Sequence, residues 1–380
     1  MSAYHLKVLS SSSQLRAAAA DWDALWQKSD CTAPAARANL VALWADHFFP
    51  NSPLAALAVE HEGRLVAALP MVVRPLRRMI HVAAMPTNCW SCCGDLLLDP
   101  DVDADAALDV LVKGIAELDA SLLWLEHVAL EAPAWQKLFA ACRRAALGVS
   151  LREQYRIGVT EIGSDFEHYE STRKGDHRRS RRRYARLLDA AGGARLELVQ
   201  PAAADVRDLM LRGFEVEDRS WKGAAGTSVL QTPGIFDYMV LEARQLAQWN
   251  QLEICFLEHD QKTIAFEYGW RAKGVHYMPK LGYDDDYSRF GPGQQLIMRL
   301  LERLHADPSC HRLDFWGPLM PWSESWSTSS YSVGRAVIAT RQALGRGLFR
   351  AYDDWQPRLR GLSQKLRSWP AARKRTAATA

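Results

Sequence analysis

VHYMPKLGYDDDYSRFGPGQQLIMRLLERLHADPSCHRLDFWG, residues 275–317, decides the fold. The apolar stretch at its start predicts a strand. A loop follows, with Tyr283-Asp284 at its head and Arg289-Phe290-Gly291-Pro292-Gly293 at its end. From Gln294 onward Leu296, Ile297, Leu300, Leu301 and Leu304 recur at helical spacing, so an amphipathic helix is expected. His311–Gly317 returns to a strand. Strand, glycine-rich turn, helix and strand make one α/β unit. A helix start offers unpaired N–H groups and partial positive charge, and glycine lets the backbone approach an anion. The turn therefore suits a pyrophosphate; an ordinary Gly-Pro helix cap is the other reading of the same residues.

Working outward, FDYMVLEARQLAQW (236–249) predicts a helix. LEICFLEHDQKTIAFEYGW (252–270) predicts a hairpin, two apolar runs around a charged turn. The first half holds a counterpart, PLAALAVEHEGRLVAALPMVVR (53–74). The two hairpins align without gaps: Val59-Glu60-His61-Glu62 on Leu257-Glu258-His259-Asp260, Arg64 on Lys262, and Val66-Ala67 on Ile264-Ala265. Helices at 14–49, 104–120 and 133–147 and a buried strand at 122–128 complete a similar order in the first half. Repeated order suggests two similar α/β domains. The expected division is 1–160, a basic connecting helix at 161–195, a second domain at 196–350 and a basic tail at 351–380.

Composition agrees with this plan. A chain of 380 residues is long for one core. A net charge of +3 gives no general attraction to nucleic acid or anionic lipid. The start of the chain lacks a signal-peptide pattern and no run reaches membrane-spanning length, so a soluble cytoplasmic protein is expected. The seven cysteines are scattered. Cys89, Cys92 and Cys93 cluster in CWSCCGD, but no second CxxC exists, so no metal site is expected and small buried hydrophobes are favoured.

Charge is concentrated between the halves, in STRKGDHRRSRRRYARLLDAAGG (171–193). A helix from about 174 to 190 would spread its arginines around the circumference, leaving Leu187 and Leu188 as a small apolar stripe. Arg178–Arg186 could bind an anionic ligand, RNA or lipid surface, hold an acidic acceptor, or be a solvated face paired within its own domain.

Several of these stretches, in this order, resemble the CelD-like (cellulose-biosynthesis-protein-like) branch of the GNAT acetyltransferase superfamily, a branch related to Fem-type aminoacyl transferases. They are the arginine-rich helix ending LLDAAGGARLELV, Ser220-Trp221-Lys222-Gly223, Lys280-Leu281-Gly282-Tyr283-Asp284 with Gly291-Pro292-Gly293, and Leu313-Asp314-Phe315-Trp316-Gly317. LAVEHEGRLVAALPMVVR fits the branch's more variable N-terminal copy, and the resemblance spans roughly residues 5–345. One feature departs. Members carry a Tyr-Lys pair after the Asp-Phe strand, whereas Pro321-Trp322-Ser323-Glu324-Ser325-Trp326 has no lysine.

The resemblance implies two tandem GNAT-like domains with mixed central sheets. It also implies acyl transfer from acetyl-CoA or another acyl-CoA, without a metal, to an amine or hydroxyl of a small molecule or saccharide, in envelope or exopolysaccharide synthesis. Gly291, Gly293, Gln294 and Gln295 are the expected donor contacts. Asp314 and Glu267 are the candidate bases, since the acceptor must lose a proton. Asp314 reads equally as a cap or salt-bridge partner, and Glu267, mid-strand among apolar residues, as an outward-facing side chain. Trp221, Lys222, Lys280, Tyr283 and Asp284 are candidate substrate contacts, with Trp221 also a core candidate. His259 and His276 could act as bases, but a lone histidine on a strand reads first as structural. The first half carries Asp99-Pro100-Asp101 where the second has its glycine turn, and this would repel a pyrophosphate, so that half is expected to be structural or acceptor-binding. Two alternatives stand: a Fem-like transferase using aminoacyl-tRNA, and a catalytically degenerate accessory protein of polysaccharide synthesis.

Overall fold

The computed structural model describes residues 4–77 and 80–355. The expected basic tail lies outside them beyond Trp355. The first half supplies strands β1 (His5–Leu9), β2 (Ala56–His61), β3 (Arg64–Leu69), β4 (Val72–Arg77), β5 (Ile80–Ala84), β6 (Leu97–Leu98), β7 (Leu122–Ala129) and β8 (Val149–Glu161). The second supplies β9 (Arg195–Val199), β10 (Leu252–His259), β11 (Lys262–Ala272), β12 (Val275–Tyr283), β13 (Arg312–Pro318) and β14 (Ser329–Ala339). Helices flank both sets, giving two tandem α/β domains; the larger sheet is mixed, with β5–β7 and β12–β13 parallel, and the smaller one is antiparallel.

The matched hairpins are the same object built twice. Val59 pairs with Ala67, a bulge follows, and then Glu60 pairs with Leu65 and His61 with Arg64. Leu257 pairs with Ala265, a bulge follows at the same step, and then Glu258 pairs with Thr263 and His259 with Lys262. Both turns place two residues at positive φ, Glu62 and Gly63 in one, Asp260 and Gln261 in the other. That is the twist a two-residue hairpin loop requires.

The halves are joined through their last strands. One ten-stranded sheet runs β4-β5-β7-β14-β8-β13-β12-β11-β10-β9. β8 lies between β13 and β14, and β14 lies between β7 and β8, all antiparallel. Each half thus lends its final strand to the other's sheet. A shared apolar cluster reinforces this, bringing Trp22, Trp26 and Trp44 of the first half into one core with Phe214, Tyr238 and Trp270 of the second. β1, β2, β3 and β6 form a separate four-stranded sheet.

The helix Pro292–His305 buries Leu296, Ile297, Leu300, Leu301 and Leu304, the stripe its spacing predicts. The acidic turn of the first half is filled from within: Asp99 is buried and accepts Arg64 at 2.9 Å, and Asp103 caps the helix Ala104–Glu117. Among the described residues no helix is long and apolar enough to cross a membrane.

The basic segment forms the helix Gly175–Ala190, but its charges are not all solvated. Arg181 is fully buried, paired with Glu170 at 2.5 Å and lying over the Trp326 ring. Leu188 is buried with it, whereas Leu187 is exposed. The buried side of this helix is therefore one leucine and one arginine, not a leucine pair.

Candidate active site

β12 and β13 run parallel for only three pairs, ending at Tyr277–Asp314. Both strands then depart from regular pairing. Against β11, β12 carries an extra residue between Tyr277 and Lys280. Against β8, β13 advances from Asp314 to Pro318 while β8 advances only from Val159 to Ile157. Bulges re-aim side chains and end pairing, so the two strands splay and expose backbone where the sheet would otherwise continue.

Two cavities open on this splay between the halves. One, about 350 Å³, takes Tyr277, Asp314 and Tyr331 from the second half and Asp30, Asp95 and Glu131 from the first. The other, about 380 Å³, takes Glu242, Tyr268 and Lys280 from the second half and Trp90, Cys92 and Tyr155 from the first. His127 and Trp316 line both cavities and stand between them.

Asp314, 5% exposed, receives the Trp316 N–H on Oδ1 at 2.7 Å and the Tyr331 hydroxyl on Oδ2 at 3.0 Å. Burial outweighs both bonds and raises its pKa to about 6. A carboxylate tuned toward neutrality in a cleft suits proton transfer. Tyr277 shares a short hydrogen bond with Thr32 of the first half, which ties the two walls together.

Lys280 lines the second cavity, and its ammonium has no hydrogen-bond or ion-pair partner among the described residues; it lies 5.1 Å from the Trp90 ring centre. Burial lowers its pKa. Glu242, which sequence reasoning missed, is buried beside it. Its Oε1 accepts the Tyr268 hydroxyl at 2.8 Å, and the Ser91 and Tyr238 hydroxyls lie 3.0 and 2.9 Å from Oε2. The signal was present: Glu242 falls on the apolar face of its helix, four residues after Tyr238 and four before Leu246. His127 was missed as well. Its Nδ1 is 2.8 Å from the Tyr155 hydroxyl, and burial lowers its pKa to about 4, so the ring is neutral.

The glycine turn stands at the start of Pro292–His305 as expected, with Gly291 left-handed at φ 58°. The N–H groups of Gly293 and Gln294 have no acceptor among the described residues, and Gln294 Oε1 is buried without a partner. This end can receive an anion. The neighbouring contacts are less open. A Cβ on Gly291 would meet the Tyr184 ring at 2.8 Å. Gln295 is fully buried and its amide faces the Arg181 carbonyl at 3.4 Å, so its side chain is not a donor contact. Tyr283 packs beside Gly293.

Four other candidates do not reach the cleft. Glu267 is fully buried, lines neither cavity, and accepts from His276 at 3.0 Å. Glu253 binds the other ring nitrogen of His276 at 2.9 Å. Burial alone would lower the His276 pKa, but the two carboxylates outweigh it and raise it to about 9. Glu267 is a partner of a buried imidazolium rather than a base at the cleft. Trp221 is 60% exposed on a short helix and belongs neither to the core nor to a cavity. Lys222 is held by Glu217 at 2.6 Å and Asp284 by Arg219 at 2.6 Å. Of the cysteine cluster, Cys93 is buried, Cys92 faces the second cavity and Cys89 is exposed. Among the described residues no group of three or more His, Cys, Asp or Glu is arranged to hold a metal.

Comparison with known proteins bears on the fold. Residues 175–324 match the family model of the acetyltransferase (GNAT) domain. No curated protein sequence matches the chain. Among solved structures, FemX is similar at 10% identity, with 87% of this chain and 98% of that one covered and a TM-score of 0.59. A conserved protein of unknown function from Bacteroides thetaiotaomicron VPI-5482 is similar at 10% identity, 88% and 100% coverage and a TM-score of 0.56. L-PGS from Bacillus licheniformis is similar at 13% identity, 88% and 96% coverage and a TM-score of 0.52. At these identities the likeness is one of fold. The second half of the chain carries a GNAT acetyltransferase domain, and the protein is an acyltransferase enzyme built on two GNAT-like domains.

Proposed function

We propose that the second half holds a CoA thioester and that its acyl group passes to an acceptor lodged between the halves. The observation that carries this reading is the splay of β12 from β13 immediately above Asp314, opening onto two interdomain cavities. The pyrophosphate meets the N–H groups of Gly293 and Gln294 at the helix start, where dipole and unpaired donors favour an anion. The thioester carbonyl meets backbone N–H groups freed along the splay. The acceptor attacks, its proton passes to Asp314, and the CoA thiol leaves. Residues 1–160 supply the far wall of the acceptor site, 161–195 cover the donor helix, and 196–350 hold the donor. Lys280 supplies a cation in the cavity although Pro321–Trp326 has none. The order of the quoted motifs supports the CelD-like branch, and with it a cytoplasmic reaction in polysaccharide synthesis.

Titration calorimetry with acetyl-CoA tests the donor. Binding by the wild type that is lost in Gly293→Asp supports the reading; no binding by the wild type overturns it. A second reading, aminoacyl-tRNA as donor, is supported by the open arginine face of Gly175–Ala190, where Arg178, Arg179, Arg182 and Arg186 line a groove. tRNA binding whose affinity falls steeply with salt would favour it.

A further inference from the structure

We infer that the acceptor is bipolar: an amine seated in the first cavity beside Asp314, joined to an anionic group, carboxylate or phosphate, that pairs with Lys280 in the second. This rests on the acyl-transfer reading and names the substrate class of that same site.

The two cavities differ in charge: the first is lined mainly by acids, the second by one acid and one ammonium. In the first, Asp30, Asp95, Glu131 and Asp314 face inward against one cation, Arg312. Arg312 is already engaged by Glu161 at 3.1 Å. Asp314 is buried and Asp95 half-buried, and withdrawal from water raises the pKa of both. Each would gain from a cation placed beside it. The chamber therefore attracts an ammonium group and offers a proton acceptor to it once it is the attacking amine. An anionic group would be repelled there.

The second cavity is balanced in number but not in how its charges are satisfied. Its two charged groups are Glu242 and Lys280. Both Glu242 oxygens face hydroxyls of the protein, from Tyr268, Ser91 and Tyr238. The Lys280 ammonium faces none. A cation withdrawn from water without a partner is poorly placed unless a ligand anion completes it. Trp90, Trp270 and Trp316 give this chamber apolar walls around the Lys280 ammonium, as a site that orients a ligand through a few polar groups requires.

The chambers abut at His127 and Trp316, so one molecule can address both. His127 is neutral there and favours neither end. Tyr277 is the register partner of Asp314, and Lys280 lies three residues further along β12. At roughly 3.3 Å per strand residue, and less across the extra residue β12 carries here, Tyr277 and Lys280 lie within about 10 Å along the strand.

In the reaction the amine nitrogen attacks the thioester carbonyl. A C–N bond forms and the C–S bond breaks. The bound ammonium first gives up one proton to solvent so that its nitrogen can attack; the second proton, lost as the amide forms, goes to Asp314, and the CoA sulfur leaves as thiolate and takes a proton from solvent. Nothing is oxidised or reduced.

The test uses the full chain with acetyl-CoA and a ladder of ω-amino acids from 4-aminobutanoate to 12-aminododecanoate. Alkylamines and ω-hydroxy acids of equal length serve as controls, with product read by mass spectrometry and thiol release. The amino acid should be acetylated at least about tenfold more efficiently than the alkylamine, as a charge-assisted pair supplies. Lys280→Gln should erase that ratio by raising KM for the amino acid alone, and Lys280→Arg should restore most of it. Equal use of amine and amino acid, or equal losses for both in Lys280→Gln, overturns the inference. Acetyl-CoA binding in calorimetry without transfer to any member of the ladder also overturns it. Absence of acetyl-CoA binding overturns the transferase reading beneath it.

Discussion

Trp316 and His127 meet with ring centroids 5.1 Å apart and planes at 64°, and each is a non-glycine residue at positive φ, 51° and 59°. One sits in the irregular stretch of β13, the other where β7 carries an extra residue against β14. Such backbone costs about 1–3 kcal/mol per residue and persists only where surrounding structure enforces it. Two of them touching, one from each half, mark the junction of the cavities as a built feature. Asparagine tolerates this φ and is neutral like His127. His127→Asn should therefore change stability by less than about 1 kcal/mol, yet lower acyl transfer at least about tenfold by losing the Tyr155 contact and the partition. Unchanged turnover at unchanged melting temperature would remove His127 from the site.

Asp314 should show opposite effects on activity and stability. Its folded pKa, about 6, lies above the unfolded value near 3.9, so the native state holds more protons between them. Stability falls as pH rises through that window, by at most about 3 kcal/mol. Asp314→Asn removes the penalty. It should melt higher than wild type at pH 7.5 and at about the same temperature at pH 4. Transfer should drop roughly 10²–10⁴-fold, mostly in kcat, and the limb of kcat/KM that rises through about pH 6 should vanish. A variant that keeps this limb would show that another group titrates.

What the sequence could tell followed from local pattern. The hairpins were readable because register, bulge and turn repeat residue for residue, and the donor helix because its leucines keep one face. The exchange of β8 and β14 was not, because a strand's partner depends on long-range pairing that alternation does not encode. The cleft was half legible. Asp314 and Lys280, singled out beside motifs, each line a cavity, while Glu242 and His127 sit in ordinary segments and gain meaning only when the halves meet. Glu267 was misread for a physical reason: a charge inside an apolar strand needs a partner, and the partner is His276 on the next strand, not a substrate.

That pair gives a separate prediction. His276 has a folded pKa of about 9, raised above the unfolded 6.5. Its contribution to stability is fully present below pH 6.5 and lost as pH rises through 9. His276→Gln leaves Glu253 and Glu267 facing each other and should cost about 3–5 kcal/mol at pH 7. Glu267→Gln should leave kcat within about twofold of wild type, since it touches neither cavity. A large kcat loss in a folded Glu267→Gln protein would restore it as a base.

The basic helix divides by burial. Arg181, paired with Glu170 and stacked on Trp326, should behave as a core residue, and Arg181→Gln should destabilise by about 3–5 kcal/mol. Arg182 and Arg186 are exposed, and the double Gln variant should stay within about 0.5 kcal/mol of wild type. If that double variant also binds polyanions as well as wild type, the groove is a solvated face.

The two glycines of the donor turn should separate folding from binding. Gly291 is left-handed at φ 58°, and an added Cβ would press on the Tyr184 ring at 2.8 Å. Gly291→Ala therefore combines an unfavourable backbone, about 1–2 kcal/mol, with a displaced helix contact. Chemical denaturation should show the loss, and acetyl-CoA affinity of the protein still folded should change little. Gly293 has ordinary helical backbone, and the nearest side-chain atom to its Cβ site is Tyr283 at 3.4 Å. A side chain there is tolerated by the fold but points charge at the anion when it is acidic. Gly293→Asp should fold with near wild-type stability and bind acetyl-CoA at least about tenfold more weakly, while Gly293→Ala binds within a few-fold of wild type. Steric block alone would weaken Ala and Asp in proportion to their size, and raising salt would not narrow the gap. Electrostatic repulsion makes the Asp variant recover with ionic strength. If Gly293→Asp binds acetyl-CoA as wild type does, the pyrophosphate does not sit at this helix start.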